Sequence, residues 1–246
     1  MSRPRPIHTL AAAAAALAVL LGPATLPASA APTADLPSAD QLKSALLTAS
    51  DLGADWTEIP VTQSPSPSPG ASPSSPVTGC AALNALINMY VTEPGAPIPR
   101  AETELDGPDG NPMVTQALAA EAPDRLTTDF NSAADALKTC HTITFSSGTA
   151  DTVTFAVTPV TLGDRKDAPA VRLDGTLAGV QLNGYVGVER FGTVAMVFGY
   201  FERQGSNEED ASMRYRTAVA KVERTLGTQA GSTTAPTAVA SEGQRV

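Results

Sequence analysis

The chain has 246 residues, 42% of them hydrophobic and 4% aromatic, and a formal net charge of −9 at pH 7. So acidic a chain, with no basic cluster to offset the charge, repels nucleic acid and anionic lipid surfaces at long range. The length suits one domain with tails.

The first 30 residues read as a processing signal. Arg3 and Arg5 precede an apolar run from Leu10 to Leu21, and Ala28-Ser29-Ala30 supplies the small-residue cleavage pattern of a Sec-type signal peptide. The apolar run is too short for a stop-transfer helix, and no later stretch is long and apolar enough to span a membrane. Cleavage near Ala30 removes Arg3 and Arg5 and leaves 14 basic against 25 acidic side chains, a net charge of −11. No Cys follows the cleavage site, so the usual bacterial lipid attachment lacks its thiol. The expected product is secreted, extracellular and soluble.

Residues 31–228 are expected to form a single domain. Ser38 opens a first helix with Leu42, Leu46, Leu47 and Leu52 at helical spacing, Asp40 and Gln41 in its first turn, and Gly53 as its stop. Trp56, the one Trp of the chain, follows and reads as a core plug or a ligand-stacking residue. Residues 61–78, rich in alternating Pro and Ser, are expected to be a disordered loop within the domain.

Cys80 is expected to start a helix with the stripe Leu83, Leu86, Ile87, Tyr90 and Val91. Ala101–Leu105 and Met113–Leu118 flank a Gly/Pro/Asn turn and read as a loose hairpin. A second long helix is predicted from Pro123 to Thr139, with Leu126, Phe130, Ala133 and Leu137 leading to Cys140. Two cysteines behind an export signal make a Cys80–Cys140 disulfide the expectation.

From His141 the pattern turns to strands. HTITFSS, a turn at Gly148, and DTVTFAVTPV alternate cleanly, and Ala170–Leu177 is the next strand. Val180–Arg203 then reads as a hairpin turning at Phe191-Gly192, with Tyr185 opposite Phe198 and Leu182 opposite Phe201. One hairpin face carries Tyr185, Met196, Phe198 and Tyr200. That is too apolar for a solvated sheet face, so it is either a second core layer or a ligand groove. A capping box from Ser206 to Glu209 opens the last helix, whose stripe is Ala211, Tyr215, Ala218, Val222 and Leu226. Gly227 closes it, and residues 229–246 are expected to be a flexible tail.

Catalytic signatures are few. After processing His141 is the one His left, and no G-x-S-x-G, H-E-x-x-H or phosphate-cradling Gly-rich loop occurs. Glu102/Glu104 and Glu208/Glu209 read as solvated or helix-capping carboxylates rather than a glycosidase pair. Asp106 to Asn111 departs from the spacing of a calcium loop. The chain is read as a non-enzyme without cofactor or metal.

The order of these features resembles a known family. The segment LLTASDLGADWT (46–57), a Cys at a helix start and another before a strand, LGD (162–164), VERFG (188–192) and a final helix look like the PknH-like extracellular sensor domain, that of the mycobacterial serine/threonine kinase H. This module also occurs in exported actinobacterial proteins. The resemblance implies an antiparallel sheet with helices packed around it and a cleft for an unknown ligand. The kinase domain has two disulfides where this chain has one pair of Cys, and the chain carries neither kinase nor membrane helix, which argues against direct transmembrane signalling.

The combined expectation is an α+β domain with an antiparallel sheet of five to six strands, about four helices and one disulfide. It would act as a secreted ligand-binding or sensing domain with an apolar cleft. Tyr185, Met196, Phe198 and Tyr200, with Trp56 as an outside candidate, would contact an unknown small or apolar molecule. The alternative is a structural or protein-interaction factor of the cell envelope, with an envelope protein as partner.

Overall fold

Side-chain alternation builds one large sheet. The structure, a computed structural model, describes residues 36–60, 77–80, 98–146 and 152–234. Among these residues nine strands join a single sheet. They are β1 (Thr57–Ile59), β2 (Val77–Thr78), β3 (Arg100–Asp106), β4 (Met113–Ala120), β5 (Thr142–Ser146), β6 (Thr152–Pro159), β7 (Ala170–Leu177), β8 (Val180–Phe191) and β9 (Val194–Arg203). The order across the sheet is β1-β3-β4-β9-β8-β7-β6-β5-β2, and every ladder is antiparallel. Four α-helices are described: α1 (Ala39–Ala45), α2 (Ala49–Leu52), α3 (Pro123–Thr139) and α4 (Glu208–Leu226).

The expectation of five to six strands is thus corrected to nine. β1 and β2 are three and two residues long, too short to display an alternation in sequence. The loose hairpin is instead two full strands, because β4 pairs along its whole length with β9 and offers its other edge to β3.

The β8–β9 turn also differs from expectation. Its two loop residues are Gly192 and Thr193, with Phe191 opposite Val194 and Tyr185 opposite Tyr200. Gly192 has φ 63, the left-handed conformation that a hairpin loop of type II′ needs at its first central position. Placing this Gly second instead of first slips the register by two residues. A slip of two preserves which side chains share a face, since the period of a strand is two.

The sheet has a helix layer on each face. On the first face α1, α2 and α4 cover the large core, in which Leu42, Leu47, Phe198, Tyr200, Tyr215 and Val222 meet. On the second face Leu137 of α3 and the Cys80–Cys140 disulfide close a smaller core over Ile143, Val157, Val171 and Leu173. Burying each large apolar side chain contributes roughly 1.5–3 kcal/mol, so the first face carries most of the stabilisation.

Three local expectations are revised. The single helix predicted from Ser38 to Leu52 is two, because Thr48 starts a second capping box with Asp51 and the Leu47 amide donates to the Gln116 side chain at 2.7 Å. Local side-chain acceptors of this kind compete with helical continuation. The cap of α4 is Asn207, whose side chain accepts from the Asp210 amide at 3.0 Å, while the Ser206 hydroxyl meets Tyr185 instead. The flexible tail does not begin at 229, since Ser232 bridges to Phe191 in parallel and its carbonyl accepts from the Gly192 amide at 2.8 Å. The signal segment, residues 61–76 of the Pro/Ser stretch, the helix expected after Cys80, the turn at Gly148 and residues 235–246 lie outside the described residues.

The disulfide closes a sequence separation of 60 residues with its Cα atoms 5.6 Å apart. In the chain-entropy account a loop of that size is worth about 4 kcal/mol. The double variant Cys80→Ser/Cys140→Ser is expected to unfold with about that much less free energy in a denaturant titration. An unchanged midpoint and slope would contradict the assignment.

Candidate functional site

The five side chains expected to contact a ligand are core residues. Phe198 is fully buried and sets its ring edge-on to Tyr215, centroids 5.5 Å apart. The Met196 sulfur accepts from the Gln116 amide at 3.3 Å. The hydroxyl of Tyr185 lies 2.9 Å from that of Ser206, and Tyr200 donates to Asp210 at 3.0 Å. Trp56 is covered by the Arg214 guanidinium, 5.1 Å from its ring centroid. The excess apolarity of this hairpin face is therefore taken up by α1, α2 and α4, which bury Tyr185, Met196, Phe198 and Tyr200 and leave Trp56 9% exposed. Phe198 and Tyr200 are positioned as a core layer would be.

Burial shifts titratable groups on this face. Burial, reinforced by Asp210, pushes the Tyr200 phenol well above its ordinary value, and burial with Glu189 does the same for Tyr215. Burial likewise raises Glu189, against the partial relief of the Arg165 guanidinium 3.7 Å away. His141 is exposed at the head of β5, and its imidazole has no hydrogen bond or ion pair among the described residues. No group of three or more His, Cys, Asp or Glu able to hold a metal occurs among them either.

A concavity opens on the second face. A cleft of about 400 Å3 lies at the end of the sheet where β8 begins and β9 ends. Phe155, Leu182, Phe201 and Met113 line it, all half-buried and all on the second face by strand alternation. Two cross-strand pairs build the floor: Phe155 stands opposite Gly175, and Phe201 opposite Gly184. Both rings lie directly on the glycines, so a Cβ at Gly175 would come within 2.7 Å of Phe155 and one at Gly184 within 2.8 Å of Phe201. Any larger residue would lift the ring off the sheet.

Charged groups form the rim. Glu104 and Asp106 project from β3 on the second face, half-buried, and neither makes a hydrogen bond or ion pair among the described residues. Arg203 closes the adjacent wall, but its guanidinium donates to the carbonyl oxygens of Asp109 and Gly110 at 3.4 and 2.9 Å. Those bonds, with the Arg203 amide on Asn111 Oδ1 at 2.8 Å, pin the β3–β4 loop to β9. Asn111 Oδ1, an oxygen of the loop, is thus engaged by the Arg203 amide. Glu202 also lines the cleft, yet its carboxylate reaches the Asn207 amide at the start of α4.

Sequence reasoning missed Phe155, Leu182 and Phe201. The signal lay in the Phe–Gly pairs, and it becomes readable only in the correct register. Glu104 was noticed, though only as a solvated carboxylate.

A separate carboxyl cluster lies at the opposite end of the sheet. Glu121, 1% exposed, and Asp129 flank the Arg125 guanidinium at 3.9 and 3.5 Å. Burial and the neighbouring Asp129, opposed by Arg125 and Arg100, raise the Glu121 carboxyl from 4.5 to about 7.

Two outcomes follow from this geometry. Phe198→Ala is expected to cost about 3–5 kcal/mol of folding stability, as truncation of a buried Phe does; a loss below about 1 kcal/mol by calorimetry would return Phe198 to an open site. Because the folded chain holds the Glu121 proton that the unfolded chain releases, stability is full below about pH 4.5 and falls as the pH rises to about 7. Glu121→Gln should flatten that decline in denaturation curves taken from pH 4 to 8 and leave stability at pH 4 unchanged.

No protein-family model matches the chain, and no curated protein does. Among solved structures it is similar to the extracellular domain of PknH from Mycobacterium tuberculosis, at 17% sequence identity and a TM-score of 0.48. The similarity covers 78% of this chain and 98% of that one. At that identity and score it carries no argument about what the chain binds.

Proposed function

We propose that the chain is an exported, non-catalytic binding domain whose ligand occupies the second-face cleft. The observation that carries this reading is the cleft floor. Two aromatic rings are laid on glycines, and with Leu182 and Met113 they form a half-buried apolar surface that no described helix covers. Small-molecule sites have this character, being concave and mostly apolar with a few polar groups at the rim. The volume of about 400 Å3 lies within their usual range of about 300–1,000 Å3. Export is supported by the signal pattern at the N-terminus and by the Cys80–Cys140 disulfide, a bond that persists in oxidising compartments.

A second reading, a protein-interaction factor of the cell envelope, is favoured by one observation. Val197 of β9 is 43% exposed and pairs with the exposed Ala117 of β4 on this same face. This extends the apolar surface beyond the cleft towards a flat contact.

The two readings separate in an NMR titration of the folded chain with a library of small apolar fragments. Binding in the cleft should shift the signals of Leu182, Phe201 and Met113, and Leu182→Arg should abolish those shifts with little loss of stability. Fragments that bind only around Val197, or none that reach the cleft, would remove the first reading.

A further inference from the structure

The described residues that line the cleft carry more negative than positive charge: Glu104, Asp106 and Glu202 against Arg203. Glu104 and Asp106 are two residues apart on β3, so both carboxylates leave the same face, about 7 Å apart along the strand. Both are half-buried, and neither meets a cation or a hydrogen-bond donor among the described residues. Three other part-buried carboxylates have a close cation, Asp51 with Lys221 at 2.5 Å, Asp210 with Arg214 at 3.2 Å and Asp174 with Arg172 at 2.8 Å, and buried Glu121 reaches Arg125 at 3.9 Å. Among the described residues the cation lining the cleft is Arg203, whose guanidinium hydrogen-bonds backbone carbonyls rather than either carboxylate, and Glu202 faces α4. Withdrawing a carboxylate from water without a partner is unfavourable, and a ligand that supplies the partner reverses the cost.

We infer that the cleft takes a small organic ammonium compound, its apolar body on Phe201, Leu182 and Met113 and its cationic nitrogen at Glu104 and Asp106. This rests on the cleft being the binding site, as proposed above. The π face of an aromatic floor residue adds attraction for the same cation, since ring quadrupoles favour positive charge. A bare metal ion suits the site poorly, because two carboxylates over an apolar floor do not provide the six to eight oxygens that calcium takes. An anionic or neutral body of the same shape would leave both carboxylates unpaired.

Three probes of one shape decide the matter: phenethylammonium, phenethyl alcohol and phenylacetate. They are titrated into the folded chain at pH 7 and followed by NMR, with wild type beside Glu104→Gln/Asp106→Asn. The expected result is a Kd for phenethylammonium at least tenfold below that for the alcohol, with phenylacetate weaker still. The double variant should erase the difference by weakening the ammonium alone, and added salt should narrow it in wild type. Equal affinity for ammonium and alcohol at the Phe201 and Leu182 signals would overturn the charge selection while leaving the cleft as a binding site. A preference that persists in the double variant would overturn the assignment to Glu104 and Asp106. Absence of any shift at those signals for all three probes would overturn both this inference and the reading on which it rests.

Discussion

Both faces of the molecule are registered on the ladder between β8 and β9, ten residue pairs running from Leu182–Arg203 to Phe191–Val194. Antiparallel pairing leaves no freedom once the turn is set, because each residue's partner follows from the loop length. Tyr185 and Tyr200 are thereby placed side by side beneath α4, and on the reverse of the same strands Phe201 is placed on Gly184. The central core and the cleft floor are two sides of one hydrogen-bonded ribbon. Neither can shift without the other.

How much of this was legible depends on the range of the interaction. Alternation is a local property, so the bounds of β7 and the length of α3 were read correctly from Ala170–Leu177 and Pro123–Thr139. The hairpin faces were also right, because a register error of two residues leaves faces intact. Pairing is not local, however. With Leu182 set opposite Phe201, the ring had no glycine beneath it, and the cleft could not be seen. Exposure was the other blind spot. Tyr185, Met196, Phe198 and Tyr200 were marked by composition, but which side of a two-sided sheet receives three helical segments is decided by where α1, α2 and α4 return in space.

The two faces treat charge differently. On the first face carboxylates buried by the helices are tied to a neighbour: Glu189 to Tyr215 and Arg165, Asp210 to Tyr200 and Arg214. Such pairs offset the desolvation of both partners and hold side chains in one geometry, though their net contribution to stability is small. On the second face Glu104 and Asp106 have no such ties among the described residues and stand beside a half-buried aromatic floor. The contrast is between a face whose described carboxylates have close partners and one where two of them do not.

The strap after α4 has a consequence for how the domain can be attached to anything else. Ser232 lies against Phe191, at the turn end of the hairpin, whereas Leu182 and Arg203 border the cleft at its open end. Nine residue steps of extended strand separate Phe191 from Leu182, about 30 Å at strand rise. The described chain therefore reaches Ser232 and Thr234 at the end of the hairpin away from the cleft. A surface, bead or fused protein joined there leaves the mouth of the cleft facing outward, so the domain can be immobilised by its C-terminal side without occluding what it binds.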